Sequence, residues 1–296
     1  MDLGTYYARP FPLDLLVGMF CGDAFVFTEF MLTRNTHRVR GTYRSVEELR
    51  KELVRWPPTS VHIGPRMAMP TTYPGQHNER MSRNLAVDID LTDYDNLRTC
   101  CSGKRICNRC WSGIALPVTR VVVRKLRTMG ARKILCVFTA GRGVHIWVCE
   151  RKLTSVLTET DLERIFNVLT ACALFVNTSG KEHSVPLEMY DKIGCSLFTF
   201  HNNTLTPVTC LPETYGLDPL VVRIDHDASV RFHHTVKVPY STHDSTGCVA
   251  VPFDPWQNPA LSDVQIRLEG PRVPAIATHF PPVFVDAVYS YDEMKL

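Results

Sequence analysis

Nowhere in the chain do eighteen apolar residues run together, so no segment is long enough to cross a membrane as a helix. The opening stretch, MDLGTYYARPFPLDLL, has no basic segment ahead of an apolar core, and a secretory leader is not expected. Strong charge imbalance is missing as well. Against 30 acidic residues stand 33 Lys and Arg, a net charge of +3 that permits a nucleic-acid partner without arguing for one. Internal repeats and low-complexity tracts are absent. What remains is ordinary for a globular protein: 296 residues, 45% hydrophobic and 21% charged, enough for one large α/β domain or a domain with appendages.

Cysteine is plentiful, and its placement is uneven. Of the 11 cysteines, four fall in Cys100-Cys101-x5-Cys107-x2-Cys110, and the rest lie among apolar residues, as in Leu135-Cys136-Val137. Without a secretory signal the scattered ones read as reduced, buried thiols. The cluster has the spacing of a structural zinc site, because C-x2-C supplies two thiolates from one tight turn and four close the tetrahedron. Free thiols are the alternative.

Periodicity gives an alternation of helices and strands. Tyr7, Phe11, Leu15 and Met19 predict one amphipathic helix within the first twenty residues. A strand is expected over Phe25–Leu32, with Arg38, Arg40 and Arg44 following, and a Ser45-capped helix runs to Leu53 before Pro57-Pro58. A short strand at 61–63 precedes a loop to about Glu79, and Ile114–Met129 reads as a helix. Lys133–Phe138 and Val144–Val148 form a hairpin around Thr139-Ala140-Gly141-Arg142-Gly143. Leu162–Phe175 and Ser229–Val238 read as helices, Leu220–Asp225 as a strand, and 239–255 as turns.

The chemistry gathers around the strand Leu85-Ala86-Val87-Asp88-Ile89-Asp90. Alternation puts Asp88 and Asp90 on one face and Val87 and Ile89 on the other. Two neighbouring carboxylates repel, and hard divalent cations with oxygen ligands relieve that repulsion; an acidic turn open to solvent is the plainer reading. Asp225 also follows an apolar strand. Three carboxylates meeting at one point would suffice for two ions and a triphosphate, although Asp225 alone reads as a cap. The hairpin offers Thr139, Arg142 and His145 beside flexible backbone N–H groups, a combination suited to phosphate oxygens. His145 taken singly is a core histidine, and Lys237 and His243 taken singly are a solvated lysine and a turn.

In combination these residues resemble one family, the small catalytic subunit of archaeo-eukaryotic DNA primase, and its eukaryotic form in particular. The resemblance rests on Val87-Asp-Ile-Asp-Leu-Thr-Asp-Tyr-Asp95, Arg98-Thr-Cys-Cys101, Ile106-Cys-Asn-Arg-Cys-Trp111, Gly141-Arg-Gly-Val-His-Ile-Trp-Val-Cys149, Arg223-Ile-Asp225, Lys237-Val-Pro-Tyr240 and Val249-Ala-Val-Pro252. It implies an α/β (α+β) primase fold of mixed sheets flanked by helices, a single catalytic domain over 1–296, a zinc knuckle at about 99–111 and an insertion at about 154–218. It also implies Asp88, Asp90 and Asp225 as ligands of two Mg²⁺ or Mn²⁺ ions, and Cys100, Cys101, Cys107 and Cys110 as ligands of Zn²⁺. Thr139, Arg142, His145, Arg223, Lys237 and His243 would contact the nucleotide, as would an arginine after the first strand, Arg38 or Arg40. Two departures stand out: the loop usually reads Ser-Gly-Arg-Arg-Gly, so its first arginine is here Gly141, and the segment from Glu150 to Leu220 is short.

The implied activity is a DNA-dependent RNA polymerase that makes short RNA primers from NTPs on single-stranded DNA. Its implied partners are a large iron–sulfur primase subunit and a replicative polymerase, in the nucleus of a eukaryote or otherwise at intracellular replication sites. The alternatives are a viral or repair polymerase using deoxynucleotides and a catalytically silent zinc-containing nucleic-acid scaffold.

Overall fold

A computed structural model describes residues 1–71, 79–150, 157–170 and 222–268, together with the backbone of four short strands at 173–176, 198–201, 204–207 and 218–221. Two antiparallel sheets position the site. In the first, β1 (Thr28–Arg34), β2 (His37–Gly41), β3 (Ser60–Met67) and β12 (Val236–Lys237) lie in the order β12-β3-β1-β2, with β4 (Arg80–Ser82) on β3. The second sheet orders β14 (Val251–Phe253), β6 (Ile134–Phe138), β7 (Gly143–Val148) and β5 (Ala86–Asp90) as β14-β6-β7-β5. The strands β8 (Ala173–Val176), β9 (Phe198–His201), β10 (Thr204–Pro207) and β11 (Asp218–Val221) make a third sheet, and β13 (Cys248–Val249) pairs with β15 (Ile266–Arg267).

Helices cover the sheets for reasons visible in the residues. In α3 (Val46–Arg55) the Ser45 hydroxyl accepts from Glu48 N at 3.2 Å, while Leu49 and Leu53, one turn apart, are fully buried. A one-turn α4 (Asn108–Cys110) and a π turn over Trp111–Ala115 lead into α5 (Leu116–Thr128). Pro117 sits in the first turn of α5, where its missing N–H costs nothing. Valines at 118, 121 and 122 with Leu126 face the core, where Trp111 and Trp147 are each 1% exposed.

Where periodicity and structure differ, capping and proline explain the difference. The expected N-terminal helix is two, α1 (Leu3–Ala8) and α2 (Leu13–Phe20), because Pro10 and Pro12 break the backbone ladder between them. Strand β1 begins at Thr28 rather than Phe25, since 22–27 wind into a 3-10 turn. Helix α6 covers Glu159–Thr170 instead of Leu162–Phe175: Thr158 and Asp161 cap each other reciprocally, at 3.2 and 3.1 Å, and fix its start. The helix expected at Ser229–Val238 is α7 (His226–Val230), started by the Asp225 carboxylate accepting from Ala228 N at 2.9 Å. Val236 then pairs with Ile63 in β12. The expected strand Leu220–Asp225 ends at Val221 in β11. The turn-rich 239–255 holds β13 and β14, and a one-turn α8 (Leu261–Val264) follows. Much of the expected insertion at 154–218 lies outside the described residues.

Candidate active site

Strand β5 carries Val87 and Ile89 into the core and presents Asp88 and Asp90, both partly exposed, on the other face. It runs beside β7 in a register that sets Asp88 opposite His145 and Asp90 opposite Gly143. Asp225 arrives from the opposite side, as its backbone N–H donates to Asp88 O at 2.9 Å. Helix α7 then locks that edge, with Ser229 Oγ accepting from Asp88 N at 3.0 Å. Beneath α7 the buried Arg83 donates to Arg231 O at 2.8 Å, His234 O at 3.3 Å and Ala228 O.

The acids feel one another. Burial pushes the Asp88 carboxyl up to about 8, and the neighbouring charges of Asp225 and Asp90 push it further the same way. Asp93, on the turn after β5, is raised too, by burial and then by Asp90 and Asp225. Carboxylates that raise one another in this way suit a hard divalent cation. The three side chains nonetheless face separate partners. Arg142 donates to Asp90 through Nε at 2.9 Å and Nη2 at 2.8 Å, and Asp225 caps α7. Among the described residues, only the cysteine quartet has all its ligand atoms within 4.8 Å of one another.

The β6–β7 hairpin forms the adjoining wall. Thr139 Oγ1 accepts from Gly143 N at 3.2 Å, and Thr139 O accepts from Lys237 Nζ at 3.4 Å. Lys237 stands in the first sheet, so this contact bridges the two sheets. Burial lowers its ammonium to about 8. His145 Nδ1 donates to Lys237 O at 3.3 Å, which leaves Nε2 facing Asp88 Oδ1 at 3.6 Å. Burial, then the Lys237 charge, lowers the His145 imidazole to about 3, so the ring is neutral and the contact is no ion pair. His243 lies against the same hairpin, its Nε2 close to Gly141.

Two candidates stand elsewhere. Arg223 donates to Asn96 Oδ1 at 2.7 Å and to Asp93 O, with its guanidinium 5.5 Å from the Tyr94 ring centre. Of the two arginines on β2, Arg40 faces Met31, which faces His62, which faces Lys237, so the four form one row across the sheet. Arg40 bonds to Glu29 at 3.3 Å and His233 O at 3.1 Å, while Arg38 lies exposed two pairs further along. Sequence reasoning missed Arg83, Ser229, Glu29 and Asp93. Asp93 left a signal in the run of acids Val87–Asp95, and Glu29 a fainter one in the family-like pair Glu29-Phe30.

The cysteines converge. Their sulfurs stand 4.0 Å (Cys100–Cys101), 3.7 Å (Cys101–Cys107), 3.5 Å (Cys101–Cys110) and 3.8 Å (Cys107–Cys110) apart. A tetrahedron with metal–sulfur bonds of ~2.3 Å has edges of ~3.8 Å, so the set fits a four-thiolate metal. Buried Arg98 clamps the loop, donating to Asp95 Oδ1 at 2.8 Å, Arg105 O at 2.8 Å and Gly103 O at 3.1 Å.

Two antiparallel sheets thus hold a cluster of carboxylates against a cationic hairpin, with a separate thiolate cluster able to hold a metal. The chain belongs to the DNA primase small subunit family, whose model matches residues 87–255, more than half of its length. It is 38% identical over 109 residues to the DNA primase small subunit of Drosophila melanogaster, covering 35% of this chain and 24% of the relative. With that of Schizosaccharomyces pombe it shares 31% over 162 residues, 49% of this chain and 34% of the relative. The small subunit PriS of Pyrobaculum islandicum is 23% identical over 216 residues, 71% of this chain and 65% of that one. The matches therefore span about a quarter to a third of the first two relatives. The polymerase domain of Mycobacterium tuberculosis ligase D, solved in complex with DNA, aligns over 96% of this chain and 92% of that one at 14% identity, with a TM-score of 0.48.

Proposed function

We propose that the chain is a primase catalytic subunit, joining ribonucleotides into short RNA primers on a single-stranded DNA template. The observation that carries this reading is the backbone hydrogen bond from Asp225 to Asp88, which brings the third acid to the other two beside the Arg142–His145 hairpin. Asp88, Asp90 and Asp225 would hold Mg²⁺ or Mn²⁺, which when bound supplies charge neutralisation for an attacking 3′-hydroxyl and a departing pyrophosphate. The residues themselves orient the triphosphate. Lys237 and Arg142 present cations, Thr139 a hydroxyl and His145 a neutral ring held by the Lys237 carbonyl. The Arg142 fork on Asp90 keeps the guanidinium in place before substrate arrives.

The four thiolates would hold Zn²⁺ structurally, because with every ligand from protein no position stays open for substrate. Family membership supports a large-subunit partner, a replicative polymerase and, in a eukaryote, a nuclear location. Among the described residues no helix is long and apolar enough to cross a membrane. The test is primer synthesis on single-stranded DNA with Mn²⁺. Asp88→Ala is expected to lose roughly a thousandfold or more, the several kcal/mol that bound metal contributes to the transition state. Retained activity overturns the acid assignment, and extension by deoxynucleotides alone favours a repair or viral polymerase.

A further inference from the structure

His243 reaches the site on a closed turn. Its N–H donates to Cys248 O at 2.9 Å, and its carbonyl accepts from Gly247 N at 3.0 Å, with Gly247 in the left-handed region at φ 63°. Thr246 Oγ1 donates to Ala140 O at 2.7 Å and ties this turn to the β6–β7 hairpin. Inside the turn the Ser245 N–H donates to His243 Nδ1 at 3.3 Å, and the Ser245 hydroxyl stands 3.3 Å from the same nitrogen. A backbone N–H only donates. Nδ1 is therefore an acceptor, and the ring proton is on Nε2. Burial, with the Lys237 charge adding to it, lowers this imidazole to about 4, so the ring is neutral near pH 7.

Nε2 is the atom that meets Gly141. A Cβ at that position would stand 3.0 Å from Nε2 and 3.4 Å from Cδ2. The φ of Gly141 lies outside the left-handed region, so the space beside it, rather than the backbone, asks for glycine. The guanidinium on the hairpin tip, Arg142, is committed to Asp90 by two hydrogen bonds. Away from Asp90, Lys237 Nζ already donates to Thr139 O. The Nε2–H of His243 is a further donor on that side, aimed across bare backbone.

We propose that Gly141 and Ser245 are positioning residues for His243: Gly141 leaves room for Nε2–H to reach a phosphate oxygen of a nucleoside triphosphate, and Ser245 fixes the proton on that nitrogen. The inference rests on the nucleotide-binding reading above. A donor to a charged oxygen contributes about tenfold or more in affinity.

Binding of ATP with Mn²⁺, measured by titration calorimetry on the full chain, tests it. His243→Ala should weaken binding about tenfold, whereas His243→Gln, whose amide keeps an N–H donor, should stay within about threefold. Gly141→Ala should weaken binding about as much as His243→Ala and add nothing once His243 is alanine, because the collision has then gone. A Gly141→Ala effect that persists in the double variant overturns the proposal, and so does a harmless single variant. Nitrogen-15 spectra should show the Nε2–H tautomer in the unaltered chain, with mixing of tautomers in Ser245→Pro; an Nδ1–H ring in the unaltered chain removes the part given to Ser245. Failure of the unaltered chain to bind ATP at all sinks the functional reading instead.

Discussion

At the level of single residues, Gly143 shows how much a hairpin turn can conceal. The sequence reads it as one of two glycines flanking an arginine. In the structure it pairs with Asp90, and a Cβ there would lie 2.4 Å from Ile89 O, deep inside van der Waals contact. Gly143→Ala must push β5 away from β7 and should cost about 1–3 kcal/mol, read as a lowered melting temperature. The displaced Asp90 would also lose its Arg142 fork. Arg142→Lys tests that fork separately: a point charge cannot make two parallel hydrogen bonds to one carboxylate. Fold stability should change little, while the KM for nucleotide rises about tenfold as one donor's worth of positioning is lost. Asp88, Asp90, Arg142 and His145 were legible because β-alternation and a hairpin place them locally. Arg223 was placed by resemblance alone, and its side chain donates to Asp93 O and Asn96 Oδ1.

At the level of elements, the cysteine knuckle was the clearest reading and α7 the poorest. Four cysteines within residues 100–110 announce themselves, and their sulfurs do converge. Cys110 is 1% exposed and adjoins Trp111, whose indole N–H donates to Pro259 O at 2.8 Å and whose ring packs on Phe138 and Phe253. The cysteine knuckle and the core are thus continuous. Cys107→Ser, or treatment with a strong zinc chelator, should red-shift tryptophan fluorescence and lower the melting temperature by several degrees. Unchanged fluorescence after the metal has been shown to leave would separate the knuckle from the core. Helix α7 was expected but misplaced, at Ser229–Val238 instead of His226–Val230: the adjoining Asp225 caps its start, while the carbonyls of Ala228, Arg231 and His234, within and beyond it, accept from the distant Arg83. Nothing near residue 228 in sequence announces an arginine at 83. Arg83→Met should leave those buried carbonyls without their charged donor and cost about 2–4 kcal/mol, measured by chemical denaturation.

For the whole molecule, the two sheets meet where charge is least comfortable. Asp88 sits at the junction, with its carboxyl pushed up by burial, by Asp225 and by Asp90, and faced by a histidine nitrogen that carries no proton. The surrounding framework holds this arrangement against repulsion. Tyr6 donates to Tyr240 O at 2.6 Å, Ser241 Oγ accepts from Val61 N at 2.7 Å, and Thr242 Oγ1 donates to Thr59 O at 2.6 Å, so the segment from Lys237 to His243 is tied to the N-terminal helices and to β3. If these acids form a cation site, as proposed, their repulsion should cost stability until an ion binds. Asp88→Asn replaces the ionisable carboxyl with a neutral group of the same shape and keeps the backbone bonds of β5, so folding no longer has to protonate the group or bear its repulsion. In metal-free buffer it should therefore melt higher than the unaltered chain. Adding Mn²⁺ at a hundredfold excess over its dissociation constant should then stabilise the unaltered chain by about 2.7 kcal/mol and leave the variant nearly unmoved, reversing their order. Thermal melts with and without Mn²⁺ decide it. A variant that melts lower in metal-free buffer would show that the acids stabilise one another through the network around them, and the cluster would not be a cation site in waiting.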